Sequence, residues 1–208
     1  MKVVVVLSAL FWVAVAWSAV HPLLASDYWI EIVTPVGGWV ILAVLWRWFK
    51  FTPLAYVLFF LEMIVLTVGA HYTHERVPLF DAIKPWFGFQ RNHYDRFAHF
   101  CVGLLLVIPA REILRRATPL RGKQAGVIAV LSILALAALY EISEWWIAVL
   151  ASPEAGIAYL GSQGDPWDAQ KDMLADGLGA IAGILALSVP HERALDVIGC
   201  SNTSEKIP

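Results

Sequence analysis

Apolar residues fill this chain in long blocks rather than in alternation, and blocks of that length predict membrane-spanning helices. Val3 to Val20 is almost unbroken apolar sequence after Lys2, long enough for a first span, and His21-Pro22 ends it. Ala14-Val15-Ala16 resembles a cleavage site, but the apolar run continues past it, so a retained helix is preferred over a signal peptide. Asp27 to Thr34 reads as a polar outer loop, and Val36 to Phe49 as a shorter second span closed by Arg47 and Lys50. Pro53 opens a third span that runs to about Ala70; proline suits a first helical turn, where its missing N–H would be unpaired anyway. His71 to His93, with Pro78, Pro85 and Gly88, reads as an ordered loop with an interfacial piece at Lys84-Pro85-Trp86-Phe87. Three further spans follow, at Tyr94 to Arg111, Gln124 to Leu150 and Trp167 to Val189, the last stopped by Pro190. The pattern predicts an all-α polytopic bundle of about six transmembrane helices. One membrane domain covers residues 1–190, and a short tail covers 191–208.

Composition agrees. The chain is 59% hydrophobic with a mean hydropathy of +0.67, and 15% of its residues are charged, against about 25% in soluble domains. No basic stripe with interleaved aromatics points to nucleic acid. Cys101 and Cys200 lie too far apart in sequence to suggest a disulfide framework or a cysteine metal knuckle. Basic residues orient the bundle. With a cytoplasmic N-terminus, the inner side receives Lys2, Arg47, Lys50, a patch of Arg111, Arg115, Arg116, Arg121 and Lys123, then Arg193 and Lys206. The loop from Ala151 to Asp165 has none. This bias predicts both termini inside.

That topology puts the unusual ionisable residues at one membrane level. The third span ends outside at His71. The fourth starts there with Asp95 and His99, one turn apart. The fifth ends there with Glu141 and Glu144, and the sixth starts there with Asp165, Asp168 and Asp172. Ionisable groups at such depth are candidates for function, because their desolvation must be offset by a cation, a proton or water. Each has a plainer reading. Asp95 suits a helix N-terminus, Asp165 and Asp168 suit N-caps, and Glu141 and Glu144 could be a solvated pair. Asp172 is harder to dismiss, lying more than a turn inside, and Asp176 falls below the site. Arg96 and Lys171 would make part of the cluster an ion-pair network. Ala175, Gly179 and Gly183 read as a helix-packing stripe. Glu62 is isolated in the third span. His71-Tyr72-Thr73-His74-Glu75 lacks the helical His-Glu-x-x-His spacing, so His74 reads as surface.

Four blocks resemble the YjdF-type inner-membrane protein family. They are Gly69-Ala70-His71-Tyr72-Thr73, Arg91-Asn92-His93-Tyr94-Asp95-Arg96, Tyr140-Glu141-Ile142-Ser143-Glu144-Trp145-Trp146, and Leu160 to Met173. Their shared order, over residues 25 to 190, implies a multi-pass protein of the bacterial inner membrane and assigns no activity. A more distant similarity is to the VanZ-like family. Asp95 and His99 match its Asp-x-x-x-His helix start, Glu141 or Glu144 its Glu-bearing helix, and Asp172 its third helix. Asp176 stands where that pattern has Asn. This similarity implies a role in the cell envelope.

Three functional readings follow. The first is a metal-dependent intramembrane site at the outer leaflet that binds or acts on an amphiphilic envelope molecule. Its ligands for Zn, Mn or Mg would be drawn from His71, Asp95, His99, Glu141, Glu144, Asp168 and Asp172. Asp172, His99 and Glu144 would be the catalytic groups, and Arg91 or Arg96 would hold an anionic head group. The second is a transporter or proton-coupled permease, with the carboxylates as a relay; it needs polar residues in the inner half, where only Glu62 and Ser132 stand out. The third is a non-catalytic scaffold whose polar cluster holds helices together.

Overall fold

Small residues decide where the long helices meet. The computed structural model describes residues 2–150 and 163–199, and every regular element among them is a helix. The elements are α1 (Lys2–Ser18), α2 (Ala25–Glu31), α3 (Val33–Leu45), α4 (Pro53–Tyr72), α5 (Pro78–Phe87), α6 (Tyr94–Ala117), α7 (Gly122–Leu150) and α8 (Asp168–Val197). The most extensive interface is between α6 and α8. A methyl group on Gly103 would lie 2.0 Å from the Asp176 carbonyl oxygen, and one on Gly179 would lie 2.1 Å from that of Phe100. The two backbones therefore touch, which is how small residues pack helices where lipid supplies no hydrophobic drive. The glycine stripe expected from the sequence is this contact.

Ala25–Leu45, α4, α6, α7 and α8 are each long and apolar enough to cross a membrane. α1 is a shorter apolar helix of 17 residues packed on α4, at the lower limit of the ~17–25 residues that span a bilayer. Phe11, Trp39, Tyr56 and Met63 form a core between α1, α3 and α4. Leu58, Val107, Ile108, Ile133 and Ala180 form a second between α4, α6, α7 and α8. α4 thus joins two half-bundles.

Three expectations are corrected. Asp27 to Thr34 is helical rather than a loop: α2 continues into α3 with one intervening residue, and Tyr28 is buried against Ser18. The 71–93 segment holds a full helix, α5, none of whose residues is buried, where only a loop with a short piece at Lys84-Pro85-Trp86-Phe87 was expected. Pro190 does not stop the last helix, which runs on to Val197. Proline removes one backbone donor, but side chains beyond it hold the next turn in place.

Those side chains belong to a buried network at one end of the bundle. Glu112 accepts from the Thr52 backbone N–H (2.8 Å) and hydroxyl (2.7 Å) and from Arg116 Nη1 (2.8 Å). Arg111 Nη1 lies 2.7 Å from His191 Nδ1, and a guanidinium only donates, so Nδ1 accepts and the His191 proton sits on Nε2. That N–H faces Glu112 Oε2 at 3.3 Å. Glu192 pairs with both Arg111 and Arg115. The basic patch seen in the sequence is therefore partly interior: Arg111 and Arg115 are buried. Residues 151–162, expected from the sequence to be a loop, and the expected tail from 200 lie outside the described residues.

Candidate functional site

The opposite end of the bundle carries the carboxylates. His99 sits on α6 one turn after Asp95, and the close α6–α8 contact brings Asp176 to it: Oδ2 lies 2.9 Å from His99 Nδ1. That contact aims the other ring nitrogen outward, 3.9 Å from Asp95 Oδ1 and 3.8 Å from Glu141 Oε1. Asp95, His99 and Asp172 each offer a ligand atom, and these atoms lie within 4.8 Å of one another. Tyr140 of α7 stands beside His99, ring centroids 6.0 Å apart, and hydrogen-bonds Glu144.

Two arginines bind this group together. Arg91 Nη1 donates to Asp168 Oδ1 at 2.6 Å, and Arg96 Nη2 reaches the same oxygen at 2.5 Å. Arg96 also pairs with Asp172 and with Asp165, and Lys171 donates to Asp165 at 2.6 Å. The Lys171 hydrogen bond holds the Asp165 carboxyl below its ordinary range. Among the described residues at this end, the carboxylates of Asp95, Asp165, Asp168, Asp172, Asp176, Glu141 and Glu144 outnumber the cations of Arg91, Arg96 and Lys171.

A cavity of 430 Å³ opens from this cluster, within the ~300–1,000 Å³ of small-molecule sites. Asp95, His99, Glu144, Asp168, Asp172 and Asp176 line one end. Phe59, Met63, Leu106, Pro109 and Ile113 line its continuation down the bundle.

Asp95, His99, Glu141, Glu144, Asp168 and Asp172 are therefore brought together with Arg91 and Arg96. His71 is not among them. Its Nδ1 lies 2.9 Å from the Ser18 carbonyl oxygen, and its ring lies against Trp17 (4.7 Å), so it ties α4 to α1. One helical position decides this, since Thr73 and His74 adopt left-handed backbone (φ 65° and 47°) and fold the chain back over Gly69. A methyl on Gly69 would lie 2.0 Å from His74 Nε2. His74, read from sequence as surface, thus lines the cavity with Glu75 and Glu31, its Nδ1 2.7 Å from Glu31 Oε2. Burial opposes its charge, but Glu31 outweighs burial and raises the His74 pKa. Burial, helped by the Asp95 charge, pushes Glu75 up to about 7. Asp176 was placed below the site by sequence and is instead the direct partner of His99. Glu62 is fully buried, and neither of its carboxylate oxygens has a hydrogen-bond partner.

The family described as "Predicted membrane protein (DUF2238)" matches residues 3–193. The chain belongs to that family. The inner membrane protein YjdF of Escherichia coli (strain K12) is 41% identical over 173 residues, covering 82% of this chain and 82% of the relative. No solved structure matches. The DUF2238 match and the apolar spans together make this a multi-pass inner-membrane protein. The matched region runs past Pro190 and takes in His191 and Glu192, so it includes both polar ends of the bundle.

Proposed function

We propose that the His99 cluster binds one divalent cation, Zn, Mn or Mg, and uses it on an amphiphilic molecule of the cell envelope. The observation that carries this reading is the set of three ligand atoms, from Asp95, His99 and Asp172, at the head of an apolar cavity. Two carboxylates and an imidazole suit a hard or borderline ion. The carboxylate excess supplies the charge such an ion would offset. Asp176 on Nδ1 is the kind of outer contact that fixes a ligating imidazole. A bound divalent ion lowers the pKa of a water molecule and so favours hydrolysis of an ester or phosphoester. Glu144, on the same cavity wall, is the acid/base group, and Arg91 and Arg96 hold Asp168 and Asp172 in place beside the head group.

The gathering of Arg47, Lys50, Arg111, Arg115, Arg116, Arg121 and Lys123 around the Glu112 end supports a cytoplasmic position for that end. Both termini then face the cytoplasm, and the His99 cluster lies near the outer leaflet.

The ion pairs of Arg91 and Arg96 favour one rival, a scaffold in which the cluster only holds α6 and α8 together. Metal analysis separates the two. Detergent-purified protein is expected to hold about one divalent ion per chain and to lose thermal stability in EDTA. His99→Ala should abolish the ion while the protein stays folded. No stoichiometric metal after loading, with a melting temperature indifferent to EDTA, would leave the scaffold.

A further inference from the structure

The cavity is amphipathic along its length. Its head is the carboxylate cluster, and its body is a row of apolar side chains from Val102 through Leu106 and Pro109 to Ile113 on α6. From Asp95 to Ile113 an α-helix rises about 27 Å, close to the hydrocarbon thickness of a bilayer. A volume of 430 Å³ spread over that length is a slot, not a chamber. The packing leaves its flank uncovered. α3 packs on α4 and α2, and α7 packs on α6 and α8, with the slot between these two groups. Ile41 of α3 (61% exposed) and Leu136 of α7 (49% exposed) line the slot and face outward. Gly38 keeps side-chain bulk out of the α3 wall, since a methyl there would lie 3.0 Å from Met63 Sδ. Phe51 and Leu45 line the far end with Ile113.

From these observations we infer that the slot takes one hydrocarbon chain of the amphiphile. The chain enters sideways from the bilayer between α3 and α7, and Ile113, Phe51 and Leu45 set the longest chain that fits. The inference rests on the amphiphile reading above but not on its metal. A chain lying in the slot places the head group against Asp95, His99 and Asp172, so the substrate class is a single-chain lipid or a lipid with one chain drawn out of the bilayer.

The test is photolabelling in vesicles of phosphatidylcholine and phosphatidylglycerol with a long-chain monoacylglycerol, whose uncharged head the carboxylates do not repel, carrying a mid-chain diazirine. Adducts should map to slot residues such as Leu106 and Leu136 and be displaced by unlabelled monoacylglycerols up to a limiting length. Ile113→Trp should move that limit to shorter chains. Ile41→Trp, at an exposed position that folding tolerates, should cut slot labelling about tenfold by closing the flank. Adducts spread evenly over outward residues such as Leu185 and Val13, with no competition, would overturn the inference. The wild type and His99→Ala are run in parallel. Slot labelling that persists without any metal in either protein removes the metal reading alone. Bound metal with unselective labelling removes the slot alone.

Discussion

At the residue scale, His99 is defined by its two ring nitrogens. Asp176 holds one at 2.9 Å, and the other faces Asp95 and Glu141. Asp176→Asn keeps the shape but replaces a charged acceptor with an amide, and loss of such an outer contact typically costs about 10–100-fold in metal affinity. Titration of the wild type and Asp176→Asn with Zn or Mn should show a loss in that range, while Glu62→Gln, not a ligand in this reading, should bind normally. The mouth of the cavity adds a pH dependence. Glu75 has a folded pKa of about 7 against an ordinary 4.5, raised first by burial. A raised folded value means the folded state holds the proton more tightly than the unfolded chain. Its stabilising contribution is therefore full below about pH 4.5 and lost as pH rises through 7. His74, also raised, acts in the same sense. Melting temperatures of wild type and Glu75→Gln, measured from pH 5 to 8, should diverge, with the variant falling less across that range. Parallel curves would place Glu75 in free solvent. Sequence spacing could find Asp95, His99 and Asp172, because those positions follow from helical period and topology. It could not find His74, which reaches the cavity through two left-handed residues that no local pattern of Thr-His announces.

At the element scale, the α6–α8 contact positions the site, since both halves of the His99–Asp176 pair ride on it. Gly179→Leu would drive a side chain into the Phe100 carbonyl, and Gly103→Ala would place a methyl 2.0 Å from that of Asp176. Backbone cannot move aside as a side-chain end can, so these variants should lose at least the ~1–3 kcal/mol of ordinary overpacking. Gly37→Ala, with open space around its new methyl, is the control and should melt at or above the wild type. Equal tolerance at all three positions would show that the helices do not meet this closely. The stripe of Ala175, Gly179 and Gly183 was legible because small residues at helical spacing have few other uses in a membrane. The end of α8 was not legible. Proline at 190 signals a stop by local rules, and only the pairing of Glu192 with Arg111 and Arg115, and of His191 with Glu112, carries the helix across it.

At the scale of the whole molecule, the bundle has two polar ends of different kinds. At the Glu112 end, buried acids and bases pair with one another, and removing Glu112 would take the acceptor from the His191 Nε2–H and from the Thr52 N–H. Leaving a buried donor without its acceptor costs about 1–3 kcal/mol, and Glu112→Ala leaves more than one, so that variant should accumulate poorly in membranes, and wild-type levels would show that the network does not hold the fold. At the His99 end carboxylates outnumber cations among the described residues, and the apolar slot opens directly from them. One end is built as a closed clasp and the other as an open site, so their orientation decides which compartment the site serves. Trp86 on α5 is 81% exposed and belongs to the His99 end, where Phe80 of the same helix packs on Tyr94. Lys123 is exposed at the other end. With Cys200 replaced by serine and Cys101 buried, single cysteines at these two positions report the orientation. A membrane-impermeant maleimide should label Trp86→Cys in spheroplasts and label Lys123→Cys only after lysis. The reverse pattern would turn the site toward the cytoplasm. An envelope substrate would then be excluded in favour of an amphiphile of the inner leaflet, while the slot, which opens sideways to lipid, would keep its chain-binding role.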